Sequence, residues 1–561
     1  MSKESVTPET TEPGDPRRWN RASALGFGAL LVAAAVLRLG HFWAIGTHDP
    51  FYEIPSVDGQ LYDAWAKKLL EGDPLSDGVL FLGPLYAYFM AGVYAVFGSS
   101  PATVKGVQVV LGTASVALVG LVARETFDRR AALVATGCAA FYAMLIFYGG
   151  TLMVVNLQVP LVLAALWLAL RALRDPTAWR WFACGLVLSL SALARQTTLL
   201  FSAGLGVWLC LELGRRLPWE RVAGYAAAFA AGVFLLILPF TWQNYQASGE
   251  FLLLNSTSGP NLYMGNNARS DGTWVRPSIA ARVDNPIAMR DAFRAAAERE
   301  AGRPLSASEV SRFWSDQAWG FIREDPGRWL RLEARKLLLF WNAREVWNNR
   351  SIEISRDFSW VLRLPLLSYA WILPFAVVGL GVTWRQARTL VPLYGLLATY
   401  LSTALIFFVL SRYRMPALPV LMVFAGAGAV ALYDGLRAQE WRRLALPALG
   451  AVTALAIALL PMGKDSLHMA HYNLGNKYAD LDRTDEAIAS FERSIALRPR
   501  FISSHNNLAI AYEKQERNED AIAAWNRVLE LSVEQRDRRR YVRAVRHLTL
   551  LGAPPPPPQA P

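Results

Sequence analysis

Asp58 heads the run Val57-Asp58-Gly59-Gln60-Leu61-Tyr62-Asp63-Ala64-Trp65-Ala66-Lys67-Lys68-Leu69-Leu70-Glu71-Gly72. Leu61, Trp65 and Leu69 share one helical face and Gly72 can end the helix, so this carboxylate stands at the start of an amphipathic helix. A carboxylate so placed can accept a proton from a nucleophile; a plain N-cap would explain it without chemistry. A second group is cationic. Arg195, Arg412 and Arg414 occupy short turns between apolar runs, on the side of the membrane that the positive-inside rule leaves poor in basic residues. A guanidinium there offers a planar fork for phosphate oxygens, and Pro416 and Pro419 stiffen the turn that carries Arg412 and Arg414. Snorkelling to phospholipid head groups is the competing explanation. Cys138, Cys184 and Cys210 lie in apolar segments at no metal-ligand spacing, and His41, His48, His468, His471, His505 and His547 form no ligand set. Neither a structural metal nor a disulfide framework is expected.

The elements that must position these groups are membrane helices. Of 561 residues, 53% are hydrophobic and 18% charged, too apolar for a soluble multidomain enzyme of this length. The net charge of +12 is spread over short loops, so it reports topology and implies no nucleic acid. Candidate spans are 24–45, 103–122, 131–148, 157–170, 181–194, 197–213, 222–241, 366–382, 389–410, 417–433 and 444–460. The fold class is therefore all-α, a polytopic membrane protein of about eleven transmembrane helices. Arg124/Arg129/Arg130, Arg171/Arg174/Arg180, Arg215/Arg216/Arg221, Arg385/Arg388 and Arg437/Arg442/Arg443 fall in alternate loops and mark the cytoplasmic side, shared by the N-terminal tail, residues 1–22. Crossing by Leu80–Gly98 would invert that pattern. Its Pro84, Tyr86, Tyr88 and Tyr94 suit an interfacial position along the outer surface, with a re-entrant hairpin as the alternative.

Residues 23–461 then form one membrane domain, with outer loops at 46–102 and 242–365. In the second loop, Pro286–Arg303 and Ser306–Trp341 have apolar residues at helical spacing, with Pro326 dividing the latter, as expected for helices lying on the membrane. Residues 465–550 repeat at a 34-residue period, pairing Leu474 with Leu508, Tyr478 with Tyr512, Ala487 with Ala521 and Phe491 with Trp525. This is the tetratricopeptide (TPR) period, with Gly475 and Pro499 at its close-contact and stop positions and Arg538–Leu550 as a capping helix. Two repeats and a cap are about the minimum that buries a shared core, so the module is expected to lean on the membrane body or on a partner. Its concave face is expected to bind a protein or peptide. Residues 551–561, with Pro554–Pro558, read as a disordered tail.

Asp58 just after the first span, the amphipathic helix with Tyr62, and Gly83-Pro84-Leu85-Tyr86 opening an aromatic segment resemble the first outer loop of GT-C glycosyltransferases. The resemblance is to the group of dolichyl-phosphate-mannose protein mannosyltransferases and aminoarabinose transferases, glycosyltransferase family 39. Pro239-Phe240-Thr241-Trp242-Gln243-Asn244-Tyr245, Gly259-Pro260-Asn261-Leu262-Tyr263-Met264-Gly265-Asn266-Asn267 and Ser411-Arg412-Tyr413-Arg414-Met415-Pro416 follow in family order, and the likeness covers about Ala24–Leu460.

The resemblance implies transfer of a sugar from a polyprenyl-phosphate donor to a protein, lipid or glycan acceptor on the outer side, with Asp58 at the place of the family's essential first-loop carboxylate. A lipid phosphate leaves as a stable anion, so the chemistry needs a base for the acceptor and cations beside the phosphate. The candidate substrate-contacting residues are Tyr62, Asn156, Arg195, Asn261, Tyr263, Asn266, Asn267, Arg412, Tyr413 and Arg414. Amides of the Asn255–Trp274 loop would meet sugar hydroxyls while Tyr263 or Trp274 gives a stacking face; a Gly-rich turn between two surface helices explains the loop as well. Two departures stand out. Asn156 replaces the second acid of many relatives, and Gly83 stands where the aminoarabinose enzymes carry a Lys. No cofactor is required, although a divalent cation at the phosphate is compatible with the chemistry. A bacterial inner membrane, with the TPR module in the periplasm recruiting an acceptor or partner, fits the topology. The rivals are an O-antigen ligase or polymerase and a non-catalytic TPR scaffold of envelope assembly, for which Asp58 would be dispensable.

Overall fold

The computed structural model describes residues 15–53, 55, 57–73, 79–275, 277, 279, 285–463 and 467–553, without the side chains at 441 and 443. The start of the N-terminal tail and the Pro554–Pro558 run lie outside the described residues. Among the described residues the chain is helical, with only two isolated bridges, Tyr142 with Leu367 and Thr273 with Val409. It divides into two compact units, drawn from 1–46, 55–349 and 359–462, and from 47–54, 350–358 and 463–561.

In chain order the helices are α1 (Arg21–His48), α2 (Asp58–Leu70), α3 (Leu85–Phe97), α4 (Pro101–Thr126), α5 (Arg129–Phe141), α6 (Ala143–Gly149), α7 (Val155–Arg174), α8 (Ala178–Ala194), α9 (Thr198–Leu213), α10 (Trp219–Leu235), α11 (Ile237–Ser248), α12 (Ser258–Gly265), α13 (Pro286–Ala301), α14 (Ala307–Glu324) and α15 (Pro326–Trp341). They continue with α16 (Ile352–Ser355), α17 (Trp360–Arg363), α18 (Tyr369–Thr383), α19 (Val391–Ile406), α20 (Ser411–Arg414), α21 (Leu418–Arg437) and α22 (Trp441–Leu459). The last five are α23 (Leu467–Asp480), α24 (Thr484–Leu497), α25 (Ile502–Lys514), α26 (Asn518–Glu534) and α27 (Arg538–Leu550).

Each apolar run expected to span coincides with a helix or a broken pair: α1, α4, α5 with α6, α7, α8, α9, α10 with α11, α18, α19, α21 and α22. Length and apolarity by themselves qualify four of these, α1, α4, α7 and α21, and a fifth if α10 and α11, bent by 49°, form one span. Helices α8, α9 and α19 have 17, 16 and 16 residues, or about 24 Å of helix against an apolar core of about 30 Å. The run 131–148 is not continuous. Tyr142 turns extended, and Leu367 pairs beside it, donating to Phe141 O at 2.9 Å and accepting from Ala143 N at 3.0 Å. Helix α3, at 13 residues, is about 20 Å long against the same apolar core of about 30 Å.

Helices α8 and α10 approach most closely where each has a glycine. A Cβ on Gly185 would stand 2.2 Å from Phe229 O, and one on Gly232 would stand 2.3 Å from Phe182 O. Small residues let apolar helices reach van der Waals contact where no hydrophobic force drives them together. In the second outer loop, α14 begins with a capping box between Ser306 and Glu309, and Asp325 caps α15 while Pro326 takes its first position. Val310 and Trp314 of α14 join Phe293 and Ala297 of α13 in one core.

The second unit holds α16 and α23–α27. Leu474, Tyr478, Ala487 and Phe491 are buried, as are their counterparts Leu508, Tyr512, Ala521 and Trp525. Gly475 admits the Phe491 ring, which a Cβ would meet at 2.6 Å. Two loop segments complete the unit. Asp49 pairs with Arg350 at 2.6 Å, its side chain wholly buried, and the Phe51 ring lies against both Arg350 and Lys477 of α23.

Gly232→Leu is expected to drive α8 and α10 apart, costing about 2 kcal/mol as overpacked contacts do and lowering Tm in detergent. Gly224→Leu on the same helix, where a Cβ meets nothing within 4 Å, serves as the control expected to leave Tm unchanged.

Candidate active site

The site begins with how α2 is held. Leu61, Tyr62, Trp65 and Ala66 bury the inner face of α2 against Tyr86, Ala87, Met90 and Tyr94 of α3 and Leu152 and Val154 before α7. Tyr62 stands edge-on to Tyr86 at 5.0 Å, and Tyr94 Oη donates to Asp63 Oδ1 at 2.5 Å. Tyr86 Oη donates to Gln108 Oε1 at 2.5 Å, while Gln108 Nε2 donates to Gly149 O and Thr151 O, both at 3.0 Å. Three helices and the α6–α7 turn are thereby tied to the start of α2. The residue before Asp58, Val57, takes φ 40°, an outlier for a β-branched residue and of the kind that concentrates at functional sites.

Asp58 is not an N-cap. Val57 holds that position and makes no side-chain cap bond. The Asp58 carboxylate instead accepts from Arg412 Nη1. In this ion pair the Asp58 side chain is 20% exposed and that of Arg412 11%.

Arg412 comes from α20, a single turn suspended between α19 and α21. Two neighbours hold that turn. Arg414 Nη1 donates to Phe340 O at 3.1 Å and Asn342 O at 2.5 Å, its Nη2 donates to Glu345 Oε2 at 3.0 Å, and its guanidinium lies 4.3 Å from the Tyr369 ring centre. Lys336 Nζ, fully buried, donates to Leu405 O at 2.7 Å at the end of α19, and also to Glu333 and to Asn266 Oδ1. Both terminal nitrogens of Arg414 are thus engaged inside the fold in place of the phosphate expected of them, while its buried Nε, like those of Arg195 and Arg412, has no acceptor. The reason is geometric: residues two apart on a helical turn point to different sides, so Arg412 and Arg414 cannot face one ligand.

Arg195, just past the end of α8, supplies the second cation. Its guanidinium carbon lies 4.1 Å from the Tyr413 ring centre, and that of Arg412 lies 5.2 Å from the same ring. Among the described residues no carboxylate pairs with Arg195, and the buried Nε atoms of both arginines have no acceptor. Burial raises the Tyr413 phenol, but the Arg412 and Arg195 charges outweigh it and bring its pKa below the ordinary value. The Tyr62 phenol goes the other way, raised by burial and then by the Asp58 charge, so it stays a neutral donor. The cluster thus holds two guanidiniums against one carboxylate, an excess of positive charge that an anion would neutralise.

Gly83 explains one departure. A Cβ there would stand 2.4 Å from Leu193 O and 2.5 Å from Ala194 O, so the loop before α3 lies against the end of α8 and leaves no room for a side chain. The cation arrives from Arg195 on that same end.

Other expected contacts are placed differently. Asn156 Nδ2 donates to Tyr148 O and Thr151 O, both at 2.9 Å, and closes the turn before α7. Asn266 Nδ2 donates to Leu262 O at 3.0 Å and Ile406 O at 2.8 Å, and Asn267 Nδ2 donates to Tyr263 O at 2.8 Å. Both amide nitrogens are committed to backbone in place of the sugar hydroxyls expected of them, Asn266 fastening α12 to the end of α19 and Asn267 bonding back onto α12. Tyr263 packs at a 48° tilt against Trp314, ring centres 4.6 Å apart, with Trp274 in the same cluster; Asn261 is half-buried on α12. The cluster reaches the site through Phe408, whose ring lies 5.6 Å from that of Tyr413.

Sequence reasoning missed Glu345, Lys336 and Tyr148, the last within electrostatic reach of Arg412, Arg414 and Arg195. Lys336 had a faint signal, a lysine among the apolar residues of an amphipathic helix; Glu345 had none. His41 bonds Ser359 Oγ at 2.8 Å and His547 bonds Glu513 at 2.9 Å. Among the described residues no three His, Cys, Asp or Glu side chains converge. A divalent cation beside Asp58 would meet Arg412, a like charge, so the donor set does not suit one.

Residues 82–242 match the family described as dolichyl-phosphate-mannose-protein mannosyltransferase, and residues 475–516 match the TPR repeat. Among solved structures, the chain is similar to the oligosaccharyltransferase AglB from Archaeoglobus fulgidus in complex with an inhibitory peptide and a dolichol-phosphate, at 13% identity and TM-score 0.44, over 83% of this chain and 60% of that one. It is also similar to ArnT from Cupriavidus metallidurans bound to undecaprenyl phosphate, at 14% identity and TM-score 0.35, over 75% of this chain and 80% of that one. The chain spans about six-tenths of the length of the archaeal oligosaccharyltransferase it matches. No curated protein sequence matches it.

Arg414→Met is expected to strand Glu345 and the Phe340 and Asn342 carbonyls, costing about 3 kcal/mol as a broken buried pair does and lowering Tm in detergent. Arg195→Met, which removes no ion pair, is expected to leave Tm unchanged or higher.

Proposed function

We propose that this chain is a membrane glycosyltransferase that moves a sugar from a polyprenyl-phosphate carrier to an acceptor on the outer side of the membrane. The observation that carries the reading is the pair of guanidiniums, Arg195 and Arg412, with unsatisfied Nε donors beside a single carboxylate, Asp58. A phosphate oxygen is the anion that such forks accept, and the family match over 82–242 supports a lipid-phosphate donor. Alternating basic loops favour a cytoplasmic N-terminus and a periplasmic outer side, in a bacterial inner membrane.

The sequence of events follows from the charges. With no donor bound, Asp58 holds Arg412. The arriving phosphate competes for that guanidinium and is shared with Arg195, which loosens Asp58. The freed carboxylate takes the proton of the acceptor's nucleophile as it bonds to the anomeric carbon of the sugar. The bond from that carbon to the phosphate oxygen breaks, and its electron pair leaves on the polyprenyl phosphate, stabilised by the two arginines. Tyr62, which keeps its proton, and Tyr413 stand beside Asp58 to orient the sugar. The TPR module recruits the acceptor or a partner that carries it.

Purified protein should transfer labelled sugar from membrane polyprenyl-phosphate donors. Asp58→Asn and Arg412→Ala are each expected to lower the rate at least about 100-fold, the usual scale for a lost base or charge stabiliser. Arg195→Ala should chiefly weaken donor binding. Full transfer by Asp58→Asn would overturn the base assignment, and absence of transfer from every donor would favour a scaffold.

A further inference from the structure

Helices α9 and α19 run in opposite directions, with Arg195 just before the start of α9 and Arg412 just after the end of α19. They lie side by side: a Cβ on Gly395 of α19 would meet the Phe201 ring of α9 at 3.7 Å. Their other ends, the loop after α9 and the loop before α19, are joined through Glu212, which is 4% exposed. Its carboxylate accepts from Arg216 Nη2 in the first loop and from Arg388 Nε in the second, at 3.0 Å. Arg215 Nη1 stands 3.5 Å from the oxygen that Arg388 holds. Backbone turns fix both loops, Arg216 N donating to Leu213 O at 2.9 Å and Leu390 N to Ala387 O at 3.1 Å.

One cation would neutralise the buried carboxylate, yet three surround it. Among the described residues no other acid pairs with Arg215, Arg216 or Arg388, and all three side chains are more than half exposed. Arg388 spends only its Nε on Glu212, which leaves the two Nη groups of its fork for another acceptor. The position of the cluster says where that acceptor comes from. Trp219 follows the first loop and Trp384 stands in the second, and both are about two-thirds exposed, as tryptophans are at the level of lipid head groups. Arg385 lies over the Trp384 ring at 5.7 Å.

We propose that Arg215 and Arg388, held in place by Glu212, bind the phosphate of an anionic phospholipid of the cytoplasmic leaflet, at the ends of α9 and α19 opposite Arg195 and Arg412. Basic pockets between membrane helices on that side take anionic head groups, and a guanidinium fork from each of two loops suits one phosphate. A lipid already at this depth reaches the site along the membrane surface, and its chains then lie beside the exposed tryptophans.

The test is native mass spectrometry of the full-length protein in detergent, titrated with phosphatidylglycerol or phosphatidylcholine. Phosphatidylglycerol should bind at least about tenfold more tightly, and Arg215→Gln with Arg388→Gln should remove that preference, taking the usual contribution of a basic residue beside an anionic membrane. Arg215→Gln alone, which breaks no hydrogen bond to Glu212, should weaken binding by about fivefold and carries the test if the double variant fails to fold. Arg130→Gln removes an arginine already paired with Asp434 and should leave binding unchanged. Equal binding of the two lipids, or unchanged binding by Arg215→Gln, overturns the proposal. So does an equal loss in Arg130→Gln, which would reduce the site to general surface attraction, and so does displacement of the lipid by excess inorganic phosphate, which would assign the arginines to a soluble anion.

Discussion

Asp58 and Arg412 lie 354 positions apart in the chain and meet in one ion pair. Each is largely withdrawn from water, and desolvating such charges costs several kcal/mol per ion unless the partner is placed with good geometry. That placement constrains both ends. The start of α2 must be pinned against α3, α4 and the α6–α7 turn, which the Tyr62, Tyr86 and Gln108 contacts accomplish, and α20 must be pinned from behind, which Arg414 and Lys336 accomplish. Arg195 then adds a cation against the Tyr413 ring that no carboxylate among the described residues pairs with. The fold thereby holds two guanidiniums and one carboxylate at a fixed place.

Arg412 and Arg414 illustrate what a pattern in sequence leaves open. Both are arginines in a short outer turn, and nothing in their identity separates them. Their roles diverge because a helical turn sends them to different sides, one to Asp58 and one to Glu345 and two backbone carbonyls. The second is a fastener for the first. Asn266 behaves likewise: polar residues in a loop look like ligand contacts, yet its amide joins α12 to Ile406 and receives Lys336.

What was legible follows from range. Apolar runs, the 34-residue period, the helix expected from Ser306 and the Pro326 break are local, and each appears in the structure at or near the expected residues. The break at Tyr142 was not legible, because it comes from pairing with Leu367, and the Asp49–Arg350 pair that completes the second unit also joins remote segments. Gly83 is the instructive middle case. Its identity was visible as a departure from the family pattern, but its cause, the carbonyls at the end of α8, is a contact across more than a hundred positions.

The strain at Val57 bears on how a carboxylate paired to arginine can act as a base. Asp58 occupies the first turn of α2, and its carboxylate is held there by Arg412. A site left in that state would bind anions and do little else. Had Val57 been relaxed and Asp58 slipped one position back, the side chain would cap the helix and its oxygens would be consumed by backbone N–H groups. With Val57 at φ 40° in the N-cap position, the carboxylate stays off the helix end, and among the described residues Arg412 is the cation that pairs with it. A partner that an incoming anion can draw away is reversible in a way that a cap is not.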